Sequence, residues 1–264
     1  MTPLAERVAQ IVGSQITFEQ RLGGDVSGAT LMTLANGNKV VAKRGHTARL
    51  QAEMLRSIGA TGAPVPAVLG EDRGLLVMAY LEHDGNGSWK SLSAALELLH
   101  VPAEKPYGWP ANFAFGKVGM PNANDGDWPK FWAENRLLCH NRHIGHGLAH
   151  RIDKLANRLD GMLPANPPAA LLHGDLWGGN LLWNDGELAG LIDPACYYGD
   201  REVDFAMLTL FDDPPESFFE AAELEAGWRE RQDVYRLWPL LLHVRLFGDT
   251  YVAPTADCLD RLGV

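Results

Sequence analysis

Cysteine is scarce. Cys139, Cys196 and Cys258 form an odd, widely spaced set with no Cys-x-x-Cys pair, which excludes a zinc ribbon or a disulfide framework and points to a reducing compartment. No window approaches the roughly 18 consecutive apolar residues that a membrane span needs. Residues 1–15 set Glu6 and Arg7 into a helical pattern of Leu4, Val8, Ile11 and Val12, so they lack the uninterrupted apolar stretch of an export signal. The expected location is cytoplasmic. Basic charge is in deficit, with 23 Lys and Arg against 33 Asp and Glu and a net charge of -10. Such a surface repels phosphodiester backbones and anionic membranes, so neither nucleic acid nor membrane is an expected partner. Internal repeats and low-complexity segments are also missing. What remains is a chain of 264 residues, 46% hydrophobic and 21% charged, with its glycines and prolines scattered. That is the composition of a folded globule with a sizeable core, as one domain of two lobes or as two small domains.

Periodicity divides the chain. Ile16 and Phe18 alternate with polar residues toward Gly23-Gly24, and two further strand-like runs, around Leu31 and Thr33 and over 39–43, flank Asn36-Gly37. An Asn-Gly step between alternating runs predicts a hairpin. Residues 47–58 repeat at helical spacing through Leu50, Met54, Leu55 and Ile58, and apolar runs follow at 67–69 and 75–81. Residues 1–82 therefore read as a small antiparallel sheet carrying one main helix, and the polar stretch 83–88 as a hinge. Residues 89–264 read as mainly helical, over 92–100, 128–138, 144–159, 203–211 and 235–247. Two β-like islands interrupt them, 171–173 with 181–183, and 188–192. The expected class is α+β.

The densest polar information lies in His173-Gly174-Asp175-Leu176-Trp177-Gly178-Gly179-Asn180 and Leu191-Ile192-Asp193-Pro194. Apolar runs on both sides would hold Asp175, Asn180 and Asp193 at the ends of short buried strands. The spacing from Asp175 to Asn180 is that of the protein-kinase catalytic loop, where an Asp accepts the hydroxyl proton, an Asn holds Mg²⁺ and a later Asp holds the metal. Phosphoryl transfer suits this set, because hard Mg²⁺ takes oxygen ligands and the attacking hydroxyl needs a base. Taken singly, His-Gly-Asp reads equally as a turn and Asp193-Pro194 as a strand exit; the linked set argues against both. A kinase also needs a strand-end lysine, and Val40-Val41-Ala42-Lys43 supplies one, with Glu53 in the next helix as its expected ion-pair partner. Gly23-Gly24-Asp25-Val26-Ser27 reads either as a phosphate loop or as a plain hairpin turn, since it is not Gly-x-Gly-x-x-Gly.

These residues resemble those of the fructosamine-3-kinase, or ketosamine-3-kinase, family, related to aminoglycoside phosphotransferases, over nearly the whole chain. The carriers are Gly23-Gly24-Asp25 with Ser27, Lys43, Ala52-Glu53, the run from Met78 to Glu82, Leu172 to Asn180, and Ile192 to Glu202 continuing into Asp204. Pro121-Asn122, Trp128, Phe131-Trp132 and Arg136 fit the family's C-terminal lobe. The resemblance implies a bilobal, protein-kinase-like fold: an N-terminal nucleotide-binding lobe (1–82), a hinge (83–88) and a helical C-terminal lobe (89–264) with the catalytic loop and acceptor site. It also implies an ATP- and Mg²⁺-dependent kinase that phosphorylates the sugar 3-hydroxyl of ketosamines, free or on glycated proteins, in deglycation. Asp175 would be the base and Asn180 and Asp193 the Mg²⁺ ligands. Gly23, Gly24, Asp25, Val26, Ser27 and Lys43, oriented by Glu53, would meet the phosphates. Met78, Tyr80, Leu81 and Glu82 would border the adenine, His173 and Trp177 the sugar, and Asp204 would buttress the catalytic loop. Gly178 stands where the family has a small serine, the phosphate loop lacks the cysteine of some relatives, and Gly174 replaces the Arg of protein kinases.

Competing readings are a kinase of another amino alcohol or an aminoglycoside, a non-catalytic nucleotide-binding module, and a metal-binding protein. The last would rest on Cys139, His143, His146 and His150, whose spacings of four, three and four align on one helix face unless Gly145 and Gly147 break it. The expected state is a monomer or a weak homodimer.

Overall fold

The computed structural model describes residues 2–23 and 28–264. In chain order the elements begin with α1 (Pro3–Val12), β1 (Ile16–Arg21), β2 (Ala29–Leu34), β3 (Lys39–Arg44), α2 (Ala48–Ala60), β4 (Val68–Asp72), β5 (Leu75–Ala79) and α3 (Trp89–Leu99). They continue with β6 (Phe113–Phe115), β7 (Val118–Met120), α4 (Trp128–Trp132), α5 (His146–Ala156), β8 (Ala170–Leu172), β9 (Leu181–Asn184), β10 (Glu187–Leu191) and β11 (Tyr197–Gly199). The chain closes with α6 (Glu202–Phe211), α7 (Glu216–Ala222), α8 (Trp228–Phe247) and α9 (Val252–Arg261). Two compact units result, 1–98 with 179–194, and 99–178 with 195–264. This division differs from a break at 83–88. The Asp84 and Gly186 amides donate to the Trp183 and Asn86 carbonyls at 2.9 and 3.2 Å, and the Leu188 amide to Ser91 Oγ at 3.0 Å. Residues 84–91 are thereby tied to the β9–β10 hairpin and stay in the first unit.

The first unit is built on a five-stranded antiparallel sheet of order β1-β2-β3-β5-β4. Asn36-Gly37 turns β2 into β3 as expected, with Gly37 at φ 85°, where a residue with a Cβ is disfavoured. Because side chains alternate across a strand, Val40 and Ala42 of β3 pack with Leu75 and Val77 of β5 against α1, through Ala5 and Val8. Val41, Leu76 and Met78 face the other side, against Ala48, Ala52 and Leu55 of α2. Lys43 shares the parity of Val41 and pairs with Leu76, so it projects from that second face. The helix α1 is set by its ends: Thr2 Oγ1 accepts the Ala5 amide at 3.2 Å and Gly13 closes it at φ 66°. The hairpin β9–β10 turns on Asp185-Gly186, both at positive φ (51° and 80°), the geometry of a two-residue hairpin turn.

In the second unit β8 pairs with β11, not with the run at 181–183. Sequence proximity had placed those two runs together; the β9–β10 hairpin takes the second of them, and the Ala195 amide donates to the His173 carbonyl at 2.9 Å. The helical remainder packs around aromatic rings. Trp128 stacks on Phe131 at 5.5 Å between centroids, and its indole N–H donates to Tyr235 at 2.9 Å. Tyr235 in turn donates to Asp200 at 2.6 Å, so this polar chain is satisfied inside the core. The helix expected over 128–138 is α only to Trp132, then π over 133–137 and 3-10 over 138–143. Arg136, fully buried, donates to the Pro121 carbonyl and to Asn122 Oδ1, both at 2.7 Å, and its guanidinium lies 3.9 Å from the centroid of the Tyr197 ring. Among the described residues no helix is long and apolar enough to cross a membrane.

Candidate active site

In the first unit, Lys43 Nζ donates to Asp193 Oδ1 across 150 positions of sequence. The lysine is nearly buried, with its side chain 5% exposed against 29% for Asp193. Asp193 holds it from a left-handed backbone, φ 56°, one of only four non-glycine residues at positive φ among the described residues. Such a conformation at a polar residue is a mark of functional sites. Asn180 is buried just before β9, and its carbonyl accepts the Ile192 amide at 3.0 Å, tying the entry of the hairpin to its exit. The hairpin thus presents Asn180 and Asp193 together at its base, an oxygen donor set that suits a hard divalent cation.

The ion pair expected between Lys43 and Glu53 is not the one observed. Glu53 is half exposed on α2 and pairs at 2.9 Å with Arg49, one turn earlier on the same helix. The reason is rotational: Ala52, Leu55 and Ile58 take the face of α2 that is buried, and Glu53 falls on the flank where an i, i+4 partner is nearer. The run Met78–Glu82 leaves β5. Met78 is a core residue beside α2. The Tyr80 ring lies under Lys39 Nζ at 4.9 Å, and Glu82 pairs with Lys39 at 2.9 Å. Leu81 packs so closely on Gly190 of β10 that a Cβ there would collide with it. Gly23 is exposed at the end of β1. Gly24, Asp25, Val26 and Ser27 lie outside the described residues.

In the second unit, the turn at His173-Gly174 hangs on Asp204 of α6. Its buried carboxylate accepts the amides of His173 at 2.8 Å and Gly174 at 2.9 Å, and meets His100 Nε2 at 2.9 Å. Burial alone would raise the pKa of Asp204; the bond to His100, its charge and the amide bonds outweigh this, and the carboxyl is held below its ordinary range. Gly174, at φ 77°, passes so near the Ala195 carbonyl that a Cβ would fall on the oxygen. The Arg that protein kinases carry here therefore has no room. Asp175 is half-buried beyond this turn, Leu176 is buried as an anchor and Trp177 is 39% exposed. His173 is fully buried and its Nδ1 accepts the Asp175 amide at 3.3 Å. Its place is inside the loop, which corrects the expectation that it lines the sugar site.

Sequence reasoning missed His100 and Asp212. The Asp212 carboxylate accepts the Gly178 amide at 2.7 Å, and a Cβ on Gly178 would strike it. The absence of the family's serine at 178 was the available signal. The cysteine and histidine set does not converge: α5 begins only at His146, Cys139 donates to the Asn135 carbonyl at 3.4 Å, and no group of three His, Cys, Asp or Glu among the described residues could hold a metal. The three thiols are free, and burial raises the pKa of each.

The architecture, an antiparallel sheet with flanking helices followed by a mainly helical part, is that of the protein-kinase-like phosphotransferases. An aminoglycoside phosphotransferase crystallised with AMP-PNP and hygromycin B shares the fold at a TM-score of 0.68 and 15% identity, covering 99% of this chain and 97% of that one. The profile of the fructosamine kinase family matches residues 15–263. The chain belongs to that family and is a kinase. The crystal structure of a candidate fructosamine-3-kinase from Thermobifida fusca aligns at a TM-score of 0.89 and 30% identity, with 99% of each chain covered. The Escherichia coli protein named "Probable ketoamine kinase YniA" is 34% identical over 80% of this chain and 78% of its own. A Synechocystis protein also named a ketoamine kinase is 30% identical over 98% and 95%.

Proposed function

We propose that the protein transfers the γ-phosphoryl group of ATP to the sugar 3-hydroxyl of ketosamines, so that the phosphorylated adduct decomposes and the amine is released. The observation that carries this reading is the Lys43–Asp193 pair: a strand-end lysine and the aspartate after the catalytic loop meet in one unit. Membership in the fructosamine kinase family selects the acceptor class, and the names of the relatives agree with it. The first unit, 1–98 with 179–194, is the proposed nucleotide lobe, and the second, 99–178 with 195–264, the proposed acceptor lobe.

Asp175 takes the proton from the acceptor hydroxyl, its turn fixed by the two amide bonds to Asp204. Asn180 and Asp193 hold Mg²⁺, which when bound neutralises phosphate charge. Lys43 exchanges its carboxylate for phosphate oxygens as nucleotide arrives, so its charge is never left buried and alone. Met78 to Glu82 border the adenine, and Trp177 offers the C–H face of the sugar an exposed ring. The test is ATP consumption against a panel of ketosamines, aminoglycosides and choline, with the phosphorylated position read by NMR. Phosphorylation of a ketosamine at the 3-hydroxyl is expected. Turnover of only another amino alcohol overturns the reading.

A further inference from the structure

Three of the seven large hydrophobic side chains that are exposed among the described residues lie in one place, beside the catalytic loop. Trp177, 39% exposed, meets Phe211 at 5.9 Å between ring centroids, and Phe211, also 39% exposed, meets His243 at 5.3 Å. His243 lies 5.3 Å from Phe247, which is 44% exposed, and 4.7 Å from Tyr251. The row runs outward from Trp177, two residues past Asp175, along the ends of α6 and α8. Burial depresses the pKa of His243, which favours the neutral ring, and its Nδ1 is engaged with the Pro239 carbonyl at 2.6 Å. The formal charges nearest the row in sequence are Asp212 and Asp213, directly after Phe211, and Arg245, between His243 and Phe247 on α8. Asp212 is fixed there by its bond to the Gly178 amide.

Exposed aromatic area of this extent on a protein with net negative charge is unfavourable unless something covers it. The row is continuous with the loop proposed to hold the sugar, so its occupant is attached to the sugar. A ketosamine nitrogen is a secondary ammonium next to C1, and aromatic rings with the Asp212 carboxylate, which follows Phe211 and accepts the amide of Gly178, the residue after Trp177, suit such a cation. We infer that Phe211 and Phe247, with Asp212, continue outward from the Trp177 ring proposed for the sugar and form the subsite for the amine half of the substrate. It selects cationic ketosamines whose nitrogen carries an apolar or aromatic group, and it rejects those carrying a carboxylate. This inference rests on the ketosamine reading given above.

The experiment measures kcat and KM for 1-amino-1-deoxyfructose and for its N-methyl, N-benzyl and N-carboxymethyl derivatives, on the wild type and on Phe247→Ala and Phe211→Ala. The N-benzyl compound is expected to have a KM lower by about 10-fold or more than the unsubstituted one, as burial of an aromatic ring implies. The N-carboxymethyl compound should have the highest KM. Phe247→Ala should remove most of the N-benzyl advantage while kcat changes little, and thermal melting should show the variant folded. Equal KM values across the series overturn the subsite, as does a Phe247→Ala loss that is the same for every substrate. A Phe247→Ala effect confined to the association state, read by sedimentation, also overturns it, since the row would then be covered by a second copy of the chain. If no ketosamine is turned over and another amino alcohol is, the functional reading itself fails and the subsite fails with it.

Discussion

Asp193 grips Lys43 from a left-handed backbone conformation, and the two residues stand 150 positions apart in the chain. The pair joins β3 to the residues just beyond β10, so one ion pair ties the central strand of the sheet to the base of the hairpin. Asn and Asp tolerate φ near +56° better than other residues with a Cβ, whereas Ala incurs about 1–2 kcal/mol there. Both Asp193→Asn and Asp193→Ala remove the partner of a nearly buried ammonium. Asp193→Ala is therefore expected to be less stable than Asp193→Asn by about 1 kcal/mol in urea unfolding. Both should need more Mg²⁺ for half-maximal activity. An unshifted Mg²⁺ titration would remove Asp193 from the metal.

Asp175→Asn keeps the size of the side chain and removes the carboxylate proposed as the base. The expected loss in kcat is about 10²- to 10⁴-fold, with ATP affinity within a few-fold of wild type. Near-normal kcat on the true acceptor would show that Asp175 is not the base.

Asp204→Asn puts amide hydrogens against two backbone donors in a fully buried position. A loss of about 2–4 kcal/mol is expected, together with a fall in kcat as the loop slackens. The pH dependence carries a sign. The folded carboxyl of Asp204 is held below its ordinary value, so its contribution is present above the unfolded pKa of about 4 and is lost as pH falls through the lower folded value. The stability gap between wild type and Asp204→Asn should therefore be full at pH 7 and narrow below about pH 4. A gap that stays constant down to the acid transition would assign the loss to packing.

Trp177→Ala should change stability by about 0.5 kcal/mol or less, because the ring is 39% exposed. The KM for a ketosamine should rise, or kcat fall, while the KM for ATP stays within a few-fold. A variant that loses several degrees of Tm and fails equally toward ATP and sugar would show a packing residue instead.

Gly178→Ser restores the residue usual in the family and is expected to impair this protein, since the new Cβ meets the Asp212 carboxylate. Adding Asp212→Ala should recover stability lost by Gly178→Ser. Additive losses in the double variant, read by thermal unfolding, would show that the two positions are not coupled.

Much of this was legible in the chain. Alternation over 39–43 and the Asn36-Gly37 step specify β2, β3 and their turn, because strand periodicity and turn chemistry are local properties. The Asp185-Gly186 step carried the same signal for β9–β10. The order Lys43, Asp175, Asn180, Asp193 carried the expectation of phosphoryl transfer, since the residue types and their spacing are themselves the signal. The partner of Lys43 could not be read so. Glu53 was the nearer candidate in sequence, but the rotation of α2 and the positive φ of Asp193 decided the pairing. The conversion of 128–138 from α to π and 3-10 is equally non-local, set by the environment that buries Arg136 beside Asn122 and Tyr197.

By itself the sequence determined the sheet with its helix, through strand and helix periods, and pointed to a kinase through short motifs and the family they resemble. Whereas the hold of Asp204 on the loop was expected from the sequence, tertiary structure alone decided which carboxylate holds Lys43, that His173 is interior, that Asp212 holds the Gly178 amide, and that Trp177, Phe211 and Phe247 share a surface. Those are contacts between residues tens of positions apart or more, and they depend on how helices rotate and strands pair once the core has closed.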